Sequence, residues 1–501
     1  MSPDCIDSVF SPIALPSGRI LRNRLVKAAL YEHLAELYGG PPNRLHLELY
    51  STWASHDWGM IVTGNVQVSP SHLSLARDLV VPHELSEKTL KPFRALAAAM
   101  HGPGERGEGP LAIMQLSHAG RQSPNILGGR FPFAPPLGPS EIRVGASLKH
   151  QGILSALLHR MMFQIPQAMS VADIDEVVDA FVRGARVAAR TGFDGVELHA
   201  AHGYLLAQFI SPKSNIRTDE YSKDSLRLLH RIVVKIRRAV PPTFILGLKV
   251  NAADYSDASV AGHVSDALEH VRIIANWGLV DFVEISGGDY EKPDFISDSA
   301  PSARQALFSE FSQHAARAIG AMAIPRAPLV LLTGGLSTPA HLYAALSAKH
   351  AHLLGIGRSA VLCPNLPKLL HAQLEAADDT DPNAPFAPPP NLCIGSSDSV
   401  VESIVRRLPR IELVGGGVTM AWYVVMLRRL ATSNLHTNSA RTRSVSPRAD
   451  YTVGGLGGVV WMWAWFGPEL LTLRFTLIAA IPFFLVALAL IFFAWDLQPA
   501  D

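Results

Sequence analysis

The sequence predicts an α/β fold: a (β/α)8 TIM barrel with a long insertion at its mouth and a transmembrane helix in its C-terminal part. Three observations carry this reading. Between residues 20 and 376, eight short apolar runs alternate with longer amphipathic stretches. The runs are apolar almost throughout, which means burial on both faces and hence a parallel sheet. Residues 475–495 (FTLIAAIPFFLVALALIFFAW) then hold 21 positions without a charge. A chain of 501 residues has room for a barrel of about 250 residues or more plus accessory segments.

The runs, in order, are LVKAAL (25–30), MIVTGNVQV (60–68), LAIMQL (111–116), GVELHA (195–200), FILGLKV (244–250), VDFVEIS (280–286), LVLLTGG (329–335) and HLLGIGR (352–358). Helical patterns separate them, clearest over 85–101 and 172–190. In the second, Ile174, Val177, Val178, Phe181 and Val182 recur at helical spacing, and Ser170 offers an N-cap with Asp173 three residues on. Eight β/α alternations point to a closed barrel, with a doubly wound sheet as the alternative. Residues 121–169 interrupt the alternation with Pro, Gly and basic residues and are expected to form a long loop over the mouth.

The catalytic body is expected to end near residue 376. Residues 377–430 read as a linker and C-terminal extension. Within them 413–430 is a short apolar helix, packed on the body or lying on a membrane surface. Residues 431–474 read as a flexible tether with interfacial aromatics, Trp461, Trp463 and Trp465. The uncharged run that follows is long enough to cross a bilayer core of about 30 Å. Arg441, Arg443, Arg448 and Arg474 precede it, and only Asp496 and Asp501 follow. The positive-inside rule makes it a single-pass tail anchor, with the lipid bilayer as partner and the barrel facing the cytoplasm. MSPDCIDSVF lacks the basic and apolar segments of a secretory signal.

Composition narrows the function. Net charge is +1, so no basic excess points to nucleic acid. Cys5, Cys363 and Cys393 are too far apart for a disulfide framework or a CxxC zinc site, which favours a reducing compartment.

In a parallel barrel the active site gathers at the C-terminal ends of the strands. The polar residues and glycines there are Gln115, His118, His199, His202, Lys249, Gly334, Gly335, Gly357 and Arg358. His199 and His202 are three apart just past a strand, and Tyr204 follows. On a short helix the two imidazoles would share a face and hydrogen-bond one oxygen, with a phenol beside them as a proton donor. Two structural histidines are the plainer reading. A zinc site is disfavoured because HExxH and further ligand spacings are absent. GIGRSA (355–360) has a dinucleotide-like GxGxxA spacing, with Glu375 twenty residues on. It follows the last of the eight strands, so a barrel phosphate site built from TGGL (333–336) and GIGR is the better reading.

Together these residues resemble the Old Yellow Enzyme family of FMN-dependent NAD(P)H:flavin oxidoreductases and ene-reductases. The likeness runs over about residues 8–375. It is carried by NRLVKAA (23–29), MQLSHAGRQ (114–122), GFDGVELHAAHGYLLAQFISPKSNIRTDEY (192–221), LTGGL (332–336) and GIGR (355–358). The resemblance implies a barrel holding FMN, reduced by NAD(P)H, that passes hydride to the β-carbon of an α,β-unsaturated carbonyl. His199 and His202 would hold the substrate oxygen, and Tyr204 would protonate the α-carbon. Ala29, Gly64 and Gln115 would contact the flavin; Gly334, Gly335, Gly357 and Arg358 would hold its phosphate.

Three departures stand out. Tyr31 sits where the family usually has Thr, Cys or Ser near the flavin O4. Lys249 replaces a frequent Arg beside the flavin N1–C2 edge and is expected to keep its positive charge. DEYSKDSLRLL (219–229) is shorter than its family counterpart. Two alternatives compete: a catalytically weak or non-catalytic flavin-bound membrane protein, and a flavin-independent, metal-dependent barrel enzyme.

Overall fold

The computed structural model describes residues 8–104, 107–145, 153–251, 262–286, 301–375, 381–390, 392, 417–433, 455–463 and 465. All eight apolar runs are strands: β1 (Leu25–Lys27), β2 (Met60–Gln67), β3 (Leu111–Ser117), β4 (Gly195–Ala200), β5 (Ile245–Asn251), β6 (Phe282–Ser286), β7 (Leu329–Thr333) and β8 (Leu353–Ile356). Each pairs in parallel with its neighbours, and β8 pairs with β1 from Leu354↔Leu25 to Ile356↔Lys27. That last pairing closes the sheet and rules out the doubly wound alternative.

Helices α1 (Arg44–Ala54), α2 (Glu87–His101), α3 (Val171–Thr191), α4 (Arg227–Ala239), α5 (Gly262–Asn276), α6 (Pro301–Ala321), α7 (Pro339–Ser347) and α8 (Leu366–Glu375) each follow the strand of the same number. α3 starts where its cap predicts. The Ser170 hydroxyl accepts the Asp173 N–H, and the Asp173 carboxylate accepts the Ser170 N–H. Such a cap contributes about 1 kcal/mol. Gly192, in the left-handed region at φ 91°, ends the helix. The five expected apolar residues all lie on its buried face.

Side chains alternate in and out along the strands. In the lower barrel Val26, Met60, Val62, Ile113, Ile245, Phe282 and Leu331 point inward, and an antiparallel hairpin (Ile13–Ala14 with Ile20–Leu21) plugs the floor with Leu15 and Leu21. Two aspartates brace this end. Asp194, before β4, accepts the Ala112 N–H (2.8 Å), contacts His101 Nε2 (2.9 Å) and pairs with Arg19. Asp281, before β6, accepts the Leu246 N–H (2.8 Å) and pairs with Arg237 (2.6 Å). Each carboxylate thus joins the start of an adjacent strand to an arginine outside the sheet.

The 121–169 insertion carries structure of its own. Leu137–Gly138 pairs with Gln167–Ala168, and residues 153–162 form a helix. A segment of this length must satisfy its own backbone groups, which a bare loop would leave to solvent. It reaches the mouth, where Gln122 Nε2 donates to the His202 carbonyl (2.8 Å).

In the C-terminal extension, α9 (Gly417–Ser433) packs on α1 and on the short helix Arg358–Leu362, so this segment lies on the catalytic body. Trp422 is fully buried there. α10 (Gly455–Trp463), inside the expected tether, packs on α9. Arg428 fastens it, donating to the Trp461 carbonyl (2.9 Å) and lying 4.0 Å from the Trp465 ring, which Arg77 of the barrel also approaches (5.0 Å). Trp463 meets His33 edge-on. Trp463 and Trp465 therefore rest on protein, while Trp461 is 60% exposed. The expected span, 475–495, lies outside the described residues. Among the described residues no helix is long and apolar enough to cross a membrane.

Gly247 faces inward under the site. A Cβ there would come within 2.1 Å of the Phe282 ring. Gly247→Ala is expected to destabilise the barrel by about 1–3 kcal/mol, the usual effect of overpacking. A denaturant midpoint equal to that of the parent would show that the ring moves aside freely.

Candidate active site

The upper barrel interior is polar. Parallel register places Gln115 opposite Glu197, and Lys249 opposite both His199 and Glu284. All five are buried. Gln115 Nε2 donates to Glu197 Oε1 at 2.5 Å, and Lys249 Nζ pairs with Glu284 Oε1 at 2.7 Å. Burial, then repulsion from Glu284, pushes the Glu197 carboxyl well above the usual carboxylate range. Burial opposes ionisation of Glu284 too, but the Lys249 ammonium and the Glu197 hydrogen bond outweigh it and hold Glu284 below that range. The two carboxyls face each other, with Thr333 also beside Glu284, and one proton shared between the carboxyls links them. Glu197 is therefore neutral, Glu284 anionic and Lys249 cationic. Lys249 keeps its positive charge, and Glu284 pairs with it.

The HAAH stretch leaves β4 through two left-handed residues, His202 (φ 56°) and Gly203 (φ 65°), before the short helix Leu205–Ile210. The imidazoles meet through this turn, and a helical i, i+3 face is not what brings them together. A left-handed histidine is strained backbone of the kind that concentrates at functional sites. His199 Nδ1 accepts the Ala201 N–H (3.3 Å), which puts the ring proton on Nε2, 3.3 Å from His202 Nδ1. Burial, His202 and Lys249 hold His199 well below the usual imidazole range, so it stays neutral. His202 Nε2 lies 3.3 Å from the Ser286 hydroxyl. The two rings engage each other.

Tyr204 stands edge-on to His199, with ring centroids 4.7 Å apart. Its oxygen accepts from Asn65 Nδ2 (3.1 Å) and lies 3.4 Å from Ser74 Oγ. Burial raises its phenol above the ordinary tyrosine value, so the proton is retained. Tyr31, half-buried, hydrogen-bonds His33 Nδ1 (3.0 Å) and faces Tyr204 and Asp78. Ala29 is partly buried against the barrel interior. Gly64 answers to another constraint: its N–H donates to Glu32 Oε1 and the Tyr50 hydroxyl (2.8 Å each), and a Cβ would strike Glu32 and the Leu30 carbonyl.

At the ends of the adjacent strands β7 and β8 lie Gly334 (φ 125°), Gly335 (φ 72°), Gly357 and Arg358. A Cβ on Gly334 would meet nothing within 4 Å. Arg358 is exposed, and no described residue hydrogen-bonds it. Open backbone with a spare guanidinium fits a phosphate. Above the Gln115 amide and Lys249, the rim fits FMN. Among the described residues no group of three or more His, Cys, Asp or Glu is placed to hold a metal.

Glu197, Glu284, Asn65 and Ser74 escaped the sequence reading. A signal existed for the first two: charged residues at inward positions of otherwise apolar strands, two before His199 and opposite Lys249. Ser74 has none, because only the fold brings its loop to Tyr204.

The Glu197–Glu284 pair generates a prediction. Folded, it keeps one proton that the unfolded chain releases above pH ~4.3. More protons bound in the native state means that stability declines as pH rises above that value. Glu197→Gln, neutral and similar in shape, is expected to fold well and to lose that decline in urea unfolding at low and high pH. Glu284→Gln strands the Lys249 ammonium and is expected to destabilise by about 3–5 kcal/mol. Equal effects of the two substitutions would refute the shared proton.

A family model described as the NADH:flavin oxidoreductase / NADH oxidase family matches residues 8–377. The chain is 38% identical over 367 residues to the NADH-dependent flavin oxidoreductase iliE of Neonectria sp., covering 71% of this chain and 46% of that protein. This chain thus spans about half the length of that relative. It is 33% identical over 435 residues to the NADH-dependent flavin oxidoreductase iccE of Talaromyces variabilis, covering 84% and 97%. The structure of the old yellow enzyme homologue from Zymomonas mobilis superposes with a TM-score of 0.57 at 20% identity, over 75% of this chain and 95% of that one, a likeness of fold. The chain is an enzyme of the NADH:flavin oxidoreductase / NADH oxidase family, the Old Yellow Enzyme type, with FMN as cofactor and a nicotinamide as reductant.

Proposed function

We propose that this enzyme reduces the C=C bond of α,β-unsaturated carbonyl compounds. The observation that carries the proposal is the Tyr204 phenol, which keeps its proton, standing edge-on to the neutral His199 imidazole that contacts His202 at the barrel mouth. Bound FMN would supply the redox chemistry, a hydride received from NAD(P)H and delivered to the β-carbon. The words "NADH-dependent" in the names of the fungal relatives support NADH as the reductant.

His199 Nε2–H and His202 turn from each other to the substrate carbonyl oxygen, where negative charge grows. A positioned donor in such an oxyanion role contributes about 3 kcal/mol to the transition state. Tyr204 gives its proton to the α-carbon. Gln115, fixed by Glu197, reaches the flavin pyrimidine ring, bordered by Ala29 and Gly64. Lys249, paired with Glu284, would lie beside the flavin N1–C2 edge. Gly334, Gly335, Gly357 and Arg358 hold the phosphate, and Tyr31 narrows the mouth. We also infer a lipid-bilayer partner through residues 475–495, with the barrel on the cytoplasmic side. Support comes from the uncharged run and the arginines before it.

Each reading has its test. With Tyr204→Phe, flavin reduction by NADH is expected to survive, while stopped-flow enone reduction slows by roughly 10²–10⁴, the usual contribution of a positioned acid. A parallel fall in both half-reactions would make Tyr204 structural. For the tail, full-length protein is expected to stay in the pellet on carbonate extraction of membranes. Release by carbonate would dispose of the span.

A further inference from the structure

Asp78 is a buried carboxyl that the reaction above leaves without a role. The short strand Leu79–Val80 pairs with the end of β2, Val66↔Leu79 and Gln67↔Val80, and holds the preceding loop at the mouth. Asp78 Oδ2 accepts the N–H groups of Ser74 (3.1 Å) and Leu75 (3.2 Å), and Oδ1 accepts from Gln67 Nε2 (3.0 Å). Gln67 Nε2 also donates to Ser74 Oγ (2.9 Å), and Ser74 Oγ stands 3.4 Å from the Tyr204 oxygen. Gln67 Nε2 thus ties the Ser74 hydroxyl to the Asp78 carboxyl, and the Ser74 N–H holds that carboxyl beside its own side chain.

Among the described residues no cation pairs with Asp78, and the titratable groups facing it are the phenols of Tyr31 and Tyr204. Burial pushes its carboxyl up to about 6 in spite of the donors around it. A turn clasp alone would explain the two backbone hydrogen bonds. It would not explain a serine hydroxyl lying between the carboxyl and the phenol.

We propose that Asp78, through the Ser74 hydroxyl, replaces the proton that Tyr204 gives to the α-carbon, which makes Asp78 and Ser74 positioning residues of the oxidative half-reaction. The proposal rests on the ene-reductase reading above. As the Tyr204 O–H bond breaks and the α-carbon C–H bond forms, the Ser74 O–H proton passes to the phenolic oxygen. The Asp78 carboxylic acid passes its own proton to Ser74. The products are a neutral tyrosine, a neutral serine and an Asp78 carboxylate, which regains a proton from water through the partly exposed Ser74. Transfer accompanies the chemistry because a phenolate is a far stronger base than a carboxylate, so the one anion left in the buried site settles on Asp78.

The test uses holoenzyme reduced by NADH and mixed with cyclohexenone, for the parent, Asp78→Asn, Ser74→Ala and Ser74→Thr, from about pH 5 to about pH 8, a range that brackets the Asp78 carboxyl. The parent rate is expected to fall as pH rises through that carboxyl's titration. Asp78→Asn and Ser74→Ala are expected to be slower at the acid end by about 10²-fold, the lower end of a positioned acid's contribution, and to lose the falling limb. Ser74→Thr keeps the hydroxyl and is expected to keep the limb. Infrared difference spectra of the parent are expected to show a protonated carboxyl that titrates with the rate and is absent from Asp78→Asn. The same limb in all four proteins, or no such carboxyl in the parent, overturns the relay. A parent that takes electrons from NADH but reduces no enone overturns the functional reading instead, and the relay falls with it.

Discussion

Pairing of β8 with β1 is the constraint on which the rest of the structure depends. Eight parallel strands with near-continuous apolar faces leave unpaired backbone at two edges unless the sheet closes. Closure removes the edges and points every strand's C-terminal end at one ring. Residues scattered from Gln115 to Arg358 then share a rim. The floor is set by the same closure: Phe282 fills the axis only because Gly247 leaves room, and the N-terminal hairpin seals the end where Asp194 and Asp281 anchor strand starts.

Above that floor the barrel tolerates charge because it balances it. Two buried carboxyls, one buried ammonium and one shared proton sum to zero, so no net charge is stranded in low dielectric. This arrangement holds Gln115 from below. It also changes what Lys249 offers: an ammonium already engaged by Glu284 is a hydrogen-bond donor more than a field source. The HAAH turn follows the same economy of protons, since the backbone N–H of Ala201 sets the His199 tautomer.

The described helices of the C-terminal extension, α9 and α10, and Trp465 belong to the body. α9 covers α1, and Trp463 and Trp465 settle on His33 and Arg77, which lie within two residues of Tyr31 and Asp78 in the chain. Trp463 and Trp465, which look like part of a membrane belt in sequence, thus brace the loops that carry His33 and Arg77. A tryptophan's amphipathic ring suits a guanidinium face as well as a lipid headgroup, so residue type alone does not choose between them.

The sequence by itself determined the eight strands, their parallel arrangement, α3 with its Ser170 cap, and the residues of the HAAH, TGGL and GIGR motifs. These are properties of local pattern: apolar runs, helical spacing, caps and glycines act over a few residues. Tertiary structure decided what depends on distance in space. It chose α9's partner, gave Gly64 to Glu32, paired Lys249 with Glu284 and shared one proton between Glu197 and Glu284. It also brought Ser74 and Asn65 to Tyr204 across about 130 residues of chain. A charge on a strand is legible in sequence, but its protonation state is not. That state depends on which other charge closure places beside it in a medium that water does not reach.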